Sequence, residues 1–282
     1  TMLKRKLYAS LIEWKNTKGT ECLLIKGARQ VGKTYLVRQF GVNEYESYIE
    51  INFYMQPDLK VVFEGELSSE EIYKRITANI PGIKLIPGKT LLFLDEIQKC
   101  ANARTALKFL AQDNRYDVIA SGSLLGLAYS QDADKDVKEV DSIPVGYEKP
   151  IMMYSLDFEE FLWAYGYGDD TIDYLRSFYK SKEKIPSEIN ERYDKLLREY
   201  LIVGGMPEVV ANFMEHKDFG KVQEIQDKII SSYADDISQH AKGAEKVKVR
   251  KCYDSIPRQL ARENKKFKYS EVEKKATARK LG

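Results

Sequence analysis

Cysteine and histidine are scarce: three Cys and two His in 282 residues. Cys22, Cys100 and Cys252 stand far apart with no C-x-x-C pair, and only His216 and His240 accompany them, which excludes the usual structural zinc sites. An odd, low cysteine count also excludes a disulfide framework and suits a reducing, cytoplasmic setting. No apolar run approaches the roughly 18 residues a bilayer-spanning helix needs, so no membrane partner is expected. Lys4, Arg5 and Lys6 have no apolar stretch behind them, so they do not read as a secretory signal, and Thr1 ahead of Met2 reads as an added residue. A dominant charge is lacking too, since the net charge is only +2. Its distribution says more. Residues 241–282 carry 14 Lys+Arg against 5 Asp+Glu, which is +9 within a total of +2 and leaves the first 240 residues at −7. Such asymmetry points to a basic end facing an acidic partner, DNA or protein.

The apolar and charged contents, 43% and 31%, fit a globular chain of one large or two modest domains. Its organising stretch is Gly27-Ala28-Arg29-Gln30-Val31-Gly32-Lys33-Thr34, which satisfies the pattern G-x-x-x-x-G-K-[ST]. An apolar strand-like run, Cys22 to Ile25, precedes it, and a helix-like run from Tyr35 to Phe40 follows. A triphosphate concentrates negative charge. Glycines at 27 and 32 let the backbone bend tightly and bring N–H groups to the phosphates, and the helix start adds its positive dipole end. Lys33 is expected to reach the β- and γ-phosphates and Thr34 to place a hydroxyl on Mg²⁺. The whole stretch from Gly27 to Tyr35 is therefore a nucleotide-binding candidate.

A second motif follows about sixty residues later, Leu91-Leu92-Phe93-Leu94-Asp95-Glu96. Four apolar residues suit a strand buried on both faces, and its carboxyl end is where open α/β sheets bind ligands. Asp95 is expected to hold Mg²⁺ and Glu96 to polarise the water that attacks the γ-phosphate. A further strand, Tyr116 to Ser123, ends in Ser121-Gly122-Ser123, and either serine is a candidate for sensing the γ-phosphate or orienting the water. A plain Ser-Gly-Ser turn is the alternative. Strands are also read over 48–53 and 150–154, and helices over 3–15, 57–64, 69–79 and 105–112. Arg5 or Tyr8 could contact the base, though a core-packing helix explains both. The segment Gln131 to Ser142 reads as an acidic loop.

This alternation predicts a five-stranded parallel sheet with helices on both faces within residues 1–155. Residues 156–240 read as a helical domain. Asp157 caps a first helix, 192–203 carries an apolar stripe (Tyr193, Leu196, Leu197, Tyr200, Leu201), and helices follow over 208–215 and 223–236. Gly204-Gly205-Met206-Pro207 interrupts it. Residues 241–282 read as a basic winged-helix-like segment with a helix over 250–263 and Ser270 capping another.

The phosphate loop, Ile51-Asn52-Phe53, Leu-Leu-Phe-Leu-Asp-Glu-Ile-Gln at 91–98 and Gly-Gly-Met-Pro-Glu at 204–208 together resemble the prokaryotic AAA-type ATPases of the AAA_14 / DUF4143 group, over almost the whole chain. The phosphate loop and acid pair are common to many ATPases, and the Gly-Gly-Met-Pro stretch is more specific. The resemblance implies ATP and Mg²⁺ as ligands and a catalytic Glu96 on a strand beside the phosphate-loop strand. It also implies a Gly-x-Pro turn that brings Pro207 over the nucleotide. Pro207 also suits the first position of a helix, and both readings can hold. Similar proteins continue into a nuclease-like domain, so further chain is expected beyond Gly282 and no nuclease site within it. Arg104 and Arg115 are arginine-finger candidates, with an ordinary surface role as the simpler reading. Three uses remain: a Mg-dependent ATPase, a slow nucleotide switch that changes a domain angle, and a nucleic-acid-binding module.

Overall fold

The computed structural model describes residues 3–17, 19–124, 127, 146–240 and 243–272. The acidic stretch 131–142 and the last ten residues lie outside them. The chain divides into two compact units, Thr1–Val222 and Gln223–Gly282.

The first unit holds the sheet. Its strands are β1 Cys22–Gly27, β2 Ser47–Asn52, β3 Thr90–Asp95, β4 Asp117–Ser123 and β5 Glu148–Met153, in the order β2-β3-β4-β1-β5. Every neighbouring pair is parallel. The apolar runs explain this. Leu91, Leu92, Phe93 and Leu94 are all fully buried, as a strand covered on both faces requires. Successive side chains alternate between two cores. Leu24, Leu92, Leu94, Val118 and Ala120 join one, and Leu23, Ile25, Leu91, Phe93 and Ile119 the other. Helices α1 Leu7–Thr17 and α2 Lys33–Glu44 cover the second core with Leu11, Trp14, Leu36, Val37 and Phe40. Helices α3 Ser69–Asn79 and α4 Ala101–Asp113 cover the first with Ile72, Tyr73, Ile76, Leu107 and Leu110. The helical stretch expected over 57–64 is a 3₁₀ helix, Pro57–Phe63.

One expectation is corrected. The strand carrying the acid pair, β3, does not lie beside the phosphate-loop strand, because β4 separates them. The chain leaving β1 passes through α2 to the far edge of the sheet, and β3 and β4 then fill the two positions left between.

Within the same unit, α5 Phe158–Ala164 opens with a capping box: Asp157 accepts from the Glu160 backbone N–H, and the Glu160 carboxylate accepts from that of Asp157. Helix α6 Asp169–Ser181 was not read from the sequence, and α7 Ser187–Val203 starts five residues earlier than expected. On α7 Leu196 is buried, whereas Leu197 and Leu201 are exposed, so only part of its apolar stripe is covered. Helix α8 Pro207–His216 begins with its proline, and α9, Phe219–His240, starts in the first unit and continues into the second. In the second unit, α10 Gly243–Leu260 runs through Pro257 and is followed by a 3₁₀ turn, Tyr269–Glu271. The Gln259 side chain ties the two, accepting from the Lys268 N–H at 2.7 Å and donating to its carbonyl at 3.3 Å. Ser270 lies inside this turn, which Lys268 precedes at the capping position, and the helix that Ser270 is expected to cap runs into residues outside the described ones.

Candidate nucleotide-binding site

The loop after β1 owes its shape to two glycines, each for a different reason. At Gly27 a Cβ would stand 2.3 Å from the Met153 carbonyl oxygen, so the close pairing of β1 with β5 demands glycine. At Gly32 a Cβ would make only ordinary contacts, but φ is +95°, a left-handed value that favours glycine. Gln30 also takes a positive φ, 63°. The reversal ends at Lys33, where α2 starts with no side-chain cap and no acidic residue in its first turn. Its first N–H groups are thus left for an anion.

Lys33 is buried, and its ammonium donates to the carbonyls of Gly27 at 3.0 Å and Ala28 at 2.7 Å. Burial lowers its pKa below 10.5, while the Glu96 and Asp95 charges oppose that shift and Arg29 adds to it. Thr34 donates its hydroxyl to Asp95 Oδ2 at 2.8 Å, which joins the two sequence motifs. Asp95 is 1% exposed. It also accepts from the Asn52 amide at 2.8 Å, from its neighbour's N–H at 3.1 Å and, on Oδ1, from the Ser121 hydroxyl. A buried carboxylate survives only when so satisfied. Glu96 has a left-handed backbone, φ 55°, and its Oε2 accepts from the Gln98 amide at 2.5 Å.

These groups border a cleft of about 840 Å³ lined by Arg29, Gln30, Gly32, Lys33, Thr34, Tyr35, Asn52, Asp95, Glu96 and Pro207, among others. Gly27, Ala28 and Val31 do not line it; Val31 is buried in the apolar core and Ala28 packs against that core. Ser121 lies beneath Asp95, off the cleft wall. Ser123 is buried and pairs in register with Gly27, away from the cleft. Pro207 is the first residue of α8, as a helix-starting proline would be, and its ring is 3.6 Å from where a Gly32 Cβ would be, beside the phosphate loop. Gly205 allows that approach, because a Cβ there would stand 2.1 Å from the Leu156 carbonyl oxygen.

Neither finger candidate borders the cleft. Arg104 pairs with Glu148 at 3.2 Å, and Arg115 with Asp113 and Glu70 at 2.9 Å each. Tyr8 hydrogen-bonds Glu44 and is also outside it. Arg5 does border it, but as a tether: it donates to Glu160, to the Val31 carbonyl and to the Tyr154 carbonyl. Asn52 and Gln98 belong to the stretches that carry the family resemblance, but sequence reasoning assigned neither a role in the site. Asn52 carried a usable signal, a polar residue at the carboxyl end of a parallel strand. Gln98 carried none.

Among the oxygen donors, the Thr34 hydroxyl and Asp95 carboxylate suit Mg²⁺, which typically takes one or two protein oxygens and fills its shell with water and phosphate oxygens. No group of three or more His, Cys, Asp or Glu side chains that could hold a metal occurs among the described residues, and none of their helices is long and apolar enough to cross a membrane.

Three solved structures are similar at low levels. A Walker-type ATPase of Pyrococcus abyssi is 14% identical over 92% of this chain and 78% of its own, with a TM-score of 0.44. AMPPCP-bound DnaA from Aquifex aeolicus is 14% identical over 95% and 81%, TM-score 0.42. A STAND protein with a tetratricopeptide repeat sensor from Pyrococcus horikoshii is 15% identical over 90% and 37%, TM-score 0.39. No curated protein matches the sequence. Residues 194–281, much of the region compared above with DUF4143 proteins, match the model of a domain of unknown function, DUF8612. Residues 19–162, which contain the whole sheet, match the family model AAA_14, described as an AAA domain. The chain belongs to the AAA_14 family.

Proposed function

We propose that the chain binds ATP with Mg²⁺ in the cleft and hydrolyses it. The observation that carries this reading is the Thr34–Asp95 hydrogen bond, which joins the phosphate loop to the acid pair in one cleft. The loop N–H groups and the start of α2 hold the phosphates, and Lys33 exchanges a carbonyl contact for the β- and γ-phosphates. Thr34 and Asp95 hold Mg²⁺, which supplies positive charge to the phosphate oxygens. Asn52 and Ser121 keep the Asp95 carboxylate in place. Glu96 takes the proton from a water whose oxygen bonds to the γ-phosphorus as the bond to the β–γ bridging oxygen breaks, giving ADP and phosphate.

Pro207 near Gly32, and the Leu156 N–H bonded to the Gly205 carbonyl at 2.7 Å, support a coupling of the nucleotide state to the angle of the helices after residue 156. In this proposal residues 1–155 are the ATPase domain, 156–240 the lid, and 241–282 a basic, winged-helix-like end that meets DNA or protein. The cytoplasmic setting and the DUF4143 kinship belong to the same proposal.

Glu96→Gln tests the reading. Turnover falls by about 100-fold or more while ATP still binds. Equal turnover in the variant and the original removes Glu96 from its role. A wild-type rate well below about 0.01 per second favours a slow switch over an ATPase. DNA binding through the basic end predicts strong salt dependence, and no binding at low salt rules it out.

A further inference from the structure

We propose that Gln98 is the positioning residue of Glu96, and that Gly122 is a glycine in order to admit it. The inference rests on the hydrolytic reading above. Glu96 borders the cleft, and its charge acts on Lys33. Among the described residues its carboxylate accepts one hydrogen bond, from the Gln98 Nε2 to Oε2, and Oε1 accepts none. One carboxylate oxygen is therefore held while the other is left for a water.

The amide can face only one way. A carboxylate offers acceptors alone, so the nitrogen of Gln98 must meet it. That commits the amide oxygen to the opposite side, where it is buried without a partner among the described residues. Leaving a buried acceptor unpaired is costly, so the contact it permits must be worth keeping. The oxygen rests against β4, 2.8 Å from where a Cβ on Gly122 would stand, and Leu127 closes the same space. A Cβ at 122 would also stand 2.9 Å from the Leu127 side chain, so a larger residue there must displace the amide, Leu127 or both. The end of β4 thus spaces both acids: the Ser121 hydroxyl holds Asp95, and the bare Gly122 seats the amide that holds Glu96. This gives the Ser-Gly-Ser strand end a use different from γ-phosphate sensing.

The test uses Gln98→Leu and Gly122→Ala in the full chain, with turnover, ATP affinity and melting temperature all measured. Each variant is expected to lower kcat by about 10- to 100-fold, the scale of a misplaced catalytic group, with ATP affinity changed by less than about twofold. In a Glu96→Gln background, Gln98→Leu should cost nothing further, because the group it positions is gone. Unchanged kcat in Gln98→Leu, or an equal fold-loss in the Glu96→Gln background, overturns the proposal. If the unaltered chain does not hydrolyse ATP, the hydrolytic reading fails instead. Crystal structures of the chain and of Gln98→Leu then decide the positioning role: Glu96 is expected to leave its place on the cleft wall, and an unmoved carboxylate overturns it.

Discussion

Replacing Gly205 with alanine should loosen the join between the sheet and the helices that follow it. The added Cβ would stand 2.1 Å from the Leu156 carbonyl oxygen and 3.0 Å from its carbon and nitrogen. Ordinary contact begins near 3.4 Å, so this backbone must retreat by about 1.3 Å. The same carbonyl accepts the Tyr200 hydroxyl at 2.8 Å, and the Leu156 N–H donates to Gly205 at 2.7 Å. Losing both bonds costs about 1 kcal/mol each, and overpacking adds about 1–3 kcal/mol. For a unit of this size the resulting loss of about 3–5 kcal/mol lowers the melting temperature by roughly 6–20 °C. Scanning calorimetry on Gly205→Ala and Gly168→Ser reads this directly. Gly168 has nothing within 4 Å of a Cβ, an ordinary φ of −87° and an uncapped helix start, so serine there is neutral or slightly stabilising. A Gly205→Ala melt within about 2 °C of the original would refute the crowding argument.

Arg5→Met leaves Glu160 buried without its cation, since the two side chains are only 8% and 6% exposed. Urea denaturation should show a loss of about 3–5 kcal/mol, partly recovered by adding Glu160→Leu, and a change under about 1 kcal/mol contradicts the tether. Lys33 gives a pH prediction. Its pKa in the free protein lies below 10.5, chiefly through burial. Between that lowered value and 10.5 the folded chain therefore binds fewer protons than the unfolded one, and the contribution of this group to stability rises with pH. A bound triphosphate restores the proton, so binding takes up protons in this alkaline window and weakens as pH climbs through it. Calorimetry in buffers of differing ionisation enthalpy should detect the uptake in the original chain and not in Lys33→Ala, and equal uptake in both contradicts the assignment.

Local patterns made most of the fold legible. The run Leu91–Leu94 announced a strand buried on both faces, and Gly27 to Thr34 fixed a strand–loop–helix corner, because both depend on neighbours in sequence. The position of β4 between β1 and β3 did not follow, since strand order is set by where crossovers land. The site shows the same division. Lys33, Thr34 and Asp95 could be assigned to one cleft from motif chemistry. Arg5 could not be recognised as a tether, because its partners Val31, Tyr154 and Glu160 come from remote segments. Gln98 was hidden for a similar reason: its meaning depends on a strand end that passes behind it. Helix α6, by contrast, was legible, with Asp169 and Asp170 in its first turn, Lys180 in its last, and Ile172, Leu175 and Tyr179 at helical spacing.

The central claim is that the loop of β1 and α2 captures a triphosphate by its N–H groups and one ammonium. Titrating ATP with Mg²⁺ into the chain and into Lys33→Ala by calorimetry tests it most directly. A charge-assisted contact worth about 1.5–3 kcal/mol predicts affinity about 10- to 100-fold weaker in the variant, with its melting temperature preserved. Equal affinity in the two proteins would contradict the claim.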